Sequence, residues 1–160
     1  MYKKLTIFSI LFVLMDQVVK MLVSNFIPYQ GEIKIIPNFF YITNVHNEGA
    51  AWSLFSGNVF ILALLGLVAL LLIYYFFIKG KELNKWEILL YSLLIGGITG
   101  NFIDRIFLGH VVDYIGVILG SYYFPIFNIA DIGIVVSVFM MIIFSIREEL
   151  VCKKSKLQKK

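Results

Sequence analysis

Four apolar runs set the frame of this chain, at about residues 5–24, 59–78, 88–106 and 126–146. At about 1.5 Å per residue, each can cross a hydrocarbon core of roughly 30 Å as a helix. The second run carries no charged side chain, and beyond Asp131 the fourth carries none before Arg147. The pattern predicts four transmembrane helices. Residues 25–58 break the apolar pattern, with Pro28, Gly31, Pro37 and Gly49 as punctuation. Within them residues 33–45 are rich in Ile, Phe, Tyr and Thr, which predicts short strands forming a small sheet that lies on the membrane. Residues 79–85 read as a tight turn. Residues 108–125 leave the bilayer again, and the apolar, aromatic stretch from Tyr114 to Phe124 predicts a short amphipathic helix at the interface. Pro125 suits the first position of the fourth helix. The expected fold class is an all-α polytopic membrane protein in a single domain. It has a small extracytoplasmic β-sheet between helices 1 and 2, a short interfacial helix between helices 3 and 4, and a basic tail over residues 147–160.

Composition and charge sharpen this picture. Sixty per cent of the 160 residues are hydrophobic and 15% charged, a balance suited to lipid as solvent. Eleven of the 14 basic residues fall before the first run, between the second and third, or after the fourth, and only Lys34 falls on the opposite side. That asymmetry predicts both termini in the cytoplasm. The net charge of +4 then reflects topology and anionic lipid rather than a basic stripe for nucleic acid. The N-terminal run does not read as a cleaved signal peptide, because Asp16 and Lys20 interrupt it and no small-x-small site follows. The single Cys152 can form no internal disulfide and says nothing about redox compartment.

Polar groups inside spans are expensive in hydrocarbon, so each calls for a reason. Asp16 and Lys20 are four apart on one helical face, as expected for a neutralising ion pair or for a polar face that meets a ligand. Gly96 and Gly100 have the small-xxx-small spacing that brings helices close, a reading favoured over a phosphate loop. Asn101 and Asp104 share a face, with Arg105 four beyond Asn101, so the three form a hydrogen-bonding bracket for structure or for substrate.

Asp113 lies just past the third run and Asp131 about five residues into the fourth, with Asn128 placed to orient it. Both carboxylates are expected in the outer third of the bilayer. Two carboxylates brought together in a low dielectric cannot both ionise at neutral pH and would share a proton. Such a pair supplies a base for water and an acid for the leaving group. The alternatives are separately solvated side chains or a proton relay in a small transporter. Metal and serine chemistry have little support, since no HExxH, cysteine-histidine cluster or G-x-S-x-G is present. His46 and His110 both fall in outer segments and read as interfacial polar residues rather than ligands.

As a set, five segments in order resemble the lipoprotein signal peptidase (signal peptidase II) family. They are Asp16-Gln17-Val18-Val19-Lys20; Asn44-Val45-His46-Asn47-Glu48-Gly49-Ala50-Ala51-Trp52; Gly96 through Arg105; Val111-Val112-Asp113-Tyr114; and Phe124 through Asp131. The resemblance implies an aspartyl endopeptidase of the bacterial cell membrane that cuts prolipoproteins just before a diacylglyceryl-modified cysteine. It implies Asp113 and Asp131 as the catalytic pair, with Asn47, Gly49, Asn101, Asp104, Arg105 and Asn128 shaping the site or holding substrate, and Asp16 and Lys20 supporting it. It also implies no cofactor or metal, contact with membrane lipids, inhibition by globomycin-type compounds, and a monomer. Trp52 and Tyr114 stand where phenylalanine is common in the family, a departure that bears on pocket shape alone.

Overall fold

The computed structural model describes residues 1–49 and 57–157, apart from the side chains of residues 148, 151, 152 and 154–157. Four helices are long and apolar enough to cross a membrane: α1 (Tyr2–Phe26), α2 (Val59–Ile73, continued by a π-helical turn over Tyr74–Ile78), α3 (Lys85–Phe107) and α4 (Ile129–Leu157). Helix α3 is the hub and packs against each of the other three. Its start is fixed by a capping box in which Asn84 accepts from the Trp86 and Glu87 N–H groups while Glu87 accepts from the Asn84 N–H.

Glycines allow the close approaches on α3. A Cβ on Gly96 would stand 2.9 Å from the Phe12 ring, and one on Gly100 would stand 2.5 Å from an Asp16 carboxylate oxygen, so both face α1. Gly97 faces α4, where a Cβ would meet the Ala130 carbonyl at 2.5 Å. Glycines on two sides of α3 thus seat two different neighbours, as expected where lipid supplies no hydrophobic drive and backbone proximity must hold helices together.

A four-stranded antiparallel sheet in the order β1-β2-β3-β4 joins these helices at one end: β1 (Glu32–Ile36), β2 (Phe40–Asn47), β3 (Val111–Leu119) and β4 (Tyr122–Tyr123). The strands predicted from residues 33–45 are present. The interfacial helix expected over residues 114–124 is not: this stretch forms β3 and β4, so the fold is not all-α and the sheet is not confined to the link between α1 and α2. The reason is burial. As a central strand β3 hides Val111, Val112, Asp113, Tyr114 and Gly116, and a strand covered on both faces reads as a continuous apolar run without alternation. Helix α4 starts at Ile129, so Pro125 lies in its approach and Asp131 sits in its first turn rather than five residues in. Val23 of α1 and Ile27, the residue just past its end, pack with Val112 and Tyr114 of β3, which anchors the sheet to the bundle.

Candidate active site

Asp113 comes from the buried centre of β3. Asn47, at the end of β2, is a diagonal neighbour on the same face, because the register pairs Val45 with Asp113 and Asn47 with Val111. The Asn47 amide donates to Asp113 Oδ2 at 2.8 Å, and its own Oδ1 accepts from the Gly49 N–H at 2.9 Å. Its orientation is therefore fixed by an unambiguous backbone donor.

Asp131 is positioned by local helix chemistry. Asn128 is the N-cap of α4: its Oδ1 accepts from the Asp131 N–H at 2.9 Å, and the Asp131 carboxylate accepts from the Asn128 N–H at 3.1 Å. This is a capping box with aspartate in the third position, placing negative charge at the positive end of the helix. The same Asn128 side chain then donates to Asp113 Oδ1 at 2.7 Å. A single, fully buried asparagine thus holds one carboxylate through its amide nitrogen and caps the helix of the other through its oxygen. The placement of Asn128 to orient Asp131, expected from sequence, takes the form of a helix cap.

Behind the pair lies a second layer. Asn101 of α3 donates to Asp131 Oδ1 at 2.8 Å and accepts from Lys20 Nζ at 2.8 Å. Lys20, 3% exposed, also forms ion pairs with Asp16 at 2.9 Å and Asp104 at 2.8 Å. The two carboxylates that flank it bind backbone groups as well: Asp16 accepts from the Ala130 N–H and Asp104 from the Val112 N–H. On α3, Asn101 and Asp104 therefore both meet Lys20, and Asn101 also reaches Asp131. Gln17, quoted in a motif but given no role from sequence, donates to Asp104 at 2.8 Å and to the Gly100 carbonyl at 3.3 Å. Its signal was its place beside Asp16 in an otherwise apolar run.

Arg105 closes another side of the site. Its guanidinium donates to the Gly49 carbonyl at 3.1 Å and to the Asn101 carbonyl at 3.2 Å, while the buried Nε finds no acceptor among the described residues. His46 and His110, read as separate interfacial residues, stack at 3.7 Å between ring centroids, and Tyr29 lies against His46. Burial and then the neighbouring His110 hold His46 below the ordinary imidazole range. Burial, followed by the charge of Asp131, pushes the Asp113 carboxyl up to about 7 despite the two amide bonds it accepts.

A cavity of about 460 Å³ opens over the pair. Asn47, Asn101 and Arg105 line its polar end, and Phe124, Ile132 and Val135 continue it along an apolar wall. Val135 is 65% exposed, so this wall merges with the outer face of α4. Among the described residues no cluster of three or more potential metal ligands occurs. The arrangement can place a water and a carbonyl group between two carboxyl groups at the edge of an apolar groove.

Comparison with known proteins agrees with the geometry. Residues 8–147 match the family described as Signal peptidase (SPase) II. Proteins named lipoprotein signal peptidase from Staphylococcus aureus strains JH9 and Newman are 37% identical over 140 residues, covering 88% of this chain and 86% of theirs. Two solved bacterial membrane enzymes superpose with TM-scores of 0.82 and 0.77. The first is 35% identical and covers 91% of this chain and 88% of its own; the second is 37% identical and covers 87% and 90%. The second motif runs into Ala50, Ala51 and Trp52, which lie outside the described residues, whereas Tyr114 accepts through its hydroxyl from the Ile129 N–H at 3.2 Å. Four apolar helices, two aspartates joined through a buried asparagine and a family match spanning most of the sequence agree on one assignment: this chain belongs to the signal peptidase II family of multi-pass bacterial membrane peptidases.

Proposed function

We propose that the protein removes the signal peptide from diacylglyceryl-modified prolipoproteins, cutting before the lipidated cysteine, with Asp113 and Asp131 as the catalytic pair. The observation that carries this reading is the bridge through Asn128, which bonds to Asp113 and caps the helix that bears Asp131. Two carboxyl groups so linked, in a buried site, divide one proton and can activate water while protonating a carbonyl. Asn47, Asn128 and Asn101 orient the pair, and Gly49 fixes Asn47 and Arg105 in turn. Arg105 offers charged donors to substrate carbonyls or headgroup oxygens at the polar end of the cavity. The sheet rests on the outer face of the membrane, both termini lie in the cytoplasm, and the scissile bond arrives where acyl chains meet water. The apolar wall along α4 accepts the signal helix and acyl chains from the side.

A proton-relay subunit would need stations spaced across the bilayer, whereas Asp16, Asp104, Asp113 and Asp131 gather around Lys20, Asn101 and Asn128. Cleavage of a diacylglyceryl-modified precursor in detergent tests the proposal. Asp113→Asn and Asp131→Asn each preserve side-chain shape and are expected to lower turnover at least about a thousandfold while the protein stays folded. Retained turnover in both variants would overturn the aspartyl mechanism. Globomycin is expected to inhibit and chelator to have no effect.

A further inference from the structure

The two aspartates are held differently. Asp113 lies in a strand and accepts only from the neutral amides of Asn47 and Asn128. Asp131 lies at the N-terminus of a helix, where one oxygen accepts from the Asn128 N–H. Its other oxygen accepts from Asn101, whose carbonyl oxygen is pinned 2.8 Å from the Lys20 ammonium. An ammonium on the carbonyl end of an amide polarises its N–H groups and prevents the amide from turning over, so Asn101 must present a strengthened donor to Asp131. Helix end and relayed positive charge both favour the ionised form of this carboxyl over its partner. The other charged or titratable groups around the pair are Asp16 from α1, Asp104 and Arg105 from α3, and Tyr114 from β3. Asp16 and Asp104 share the single ammonium of Lys20, Arg105 donates to backbone carbonyls, and Tyr114 accepts from the Ile129 N–H.

We propose that Lys20, acting through Asn101, is a positioning residue that keeps Asp131 as the ionised member of the pair, so that Asp131 takes the proton from water and Asp113 gives one to the substrate carbonyl. This rests on the peptidase reading above and assigns its two roles. Water oxygen bonds to the scissile carbon as its proton passes to Asp131, and the Asp113 proton passes to the carbonyl oxygen, leaving a gem-diol and an ionised Asp113. Collapse breaks the carbon–nitrogen bond. Asp131 gives its proton to the leaving nitrogen and Asp113 recovers one from a diol hydroxyl, which restores the starting state. The elevated titration of Asp113, at about 7, agrees with its serving as the acid.

Two measurements test the assignment. The first is the pH profile of kcat/KM. Wild type is expected to lose activity as pH rises through about 7, where Asp113 gives up its proton, and to show an acid limb set by Asp131. Asn101→Ala removes the donor while leaving the ion pairs of Lys20 with Asp16 and Asp104 in place. It is expected to move the acid limb up by about one pH unit, a tenfold extra loss on that limb. Lys20→Met is expected to do the same, and Lys20→Arg to restore the limb. Because Lys20→Met leaves Asp16 and Asp104 buried without a cation and can fail to fold, Asn101→Ala carries the test. An unmoved acid limb in folded Asn101→Ala overturns the proposal. The second measurement, carboxyl 13C shifts of labelled aspartate in lipid nanodiscs, needs no substrate. At pH 6 Asp113 is expected to read as an acid and Asp131 as a carboxylate, and the reverse order overturns the proposal. Were wild type to cleave no lipidated precursor, the peptidase reading would fail while the carboxyl shifts still decided the order of ionisation.

Discussion

Asn128 shows how much of this site depends on one short side chain. It is fully buried, caps α4 and donates to Asp113, so truncation both frees a helix end and removes a bond from a carboxyl group. Loss of such a cap costs about 1 kcal/mol of stability. Asn128→Ala is therefore expected to lower the unfolding midpoint by a few degrees and the cleavage rate by about a hundredfold, an imbalance that identifies positioning rather than folding as the larger effect. Comparing thermal melts with turnover in the same detergent checks it. At this scale the sequence picked out polar residues that the fold brings together, because a polar side chain in an apolar run has few excuses. It said less about partners. Asp131 and Asn128 are close in sequence, yet Asn101 with Lys20, or Asn47 with Asp113, meet only through packing of separate elements, and Gln17 carried no spacing cue toward Asp104.

Elements carry the next set of consequences. The hydrophobic pattern showed the four helices and the β1–β2 hairpin, because length in helices and residue type in strands survive without tertiary knowledge. It missed β3, whose two covered faces erase the alternation that marks a strand. It also missed the His46–His110 stack, which exists only because β2 and β3 run side by side. With His46 held below the ordinary imidazole range, the folded protein binds fewer protons than the unfolded chain as pH falls through about 6.5. Stability is then full above that range and declines on acidification, because the His46 ring takes up a proton more readily in the unfolded chain than in the fold. His46→Phe keeps a ring on the stack and removes the titration, so its unfolding midpoint is expected to fall less than that of wild type between pH 7.5 and 5.5. The α1–α3 contact gives a steric counterpart. Gly100→Ala would drive a methyl group to 2.5 Å from Asp16 and is expected to reduce the folded yield, whereas Gly66→Ala meets only Ile98 at 3.7 Å and is expected to be neutral. Size-exclusion profiles of the two variants separate these outcomes.

Across the whole molecule, the division of labour follows from α3 at the centre. Helices α1 and α4 bring polar groups to it, and α2 packs on it with Ala63 as its buried residue, presenting most of its surface to lipid. The buried Lys20 cluster ties α1, α3 and, through the Ala130 N–H, the first turn of α4 into one unit under the sheet. The cavity is continuous with the lipid-facing wall at Ile132 and Val135. An entrance of that kind faces sideways into hydrocarbon rather than upward into solvent. Encounter then becomes a search in two dimensions, and the concentration that matters is the number of precursors per phospholipid. Adding inert detergent or lipid at constant bulk substrate should slow turnover by surface dilution, while enlarging the aqueous volume around the same vesicles should leave it unchanged. A bacterium that thins its precursors over more membrane would meet the same slowing, whatever its copy number of the enzyme.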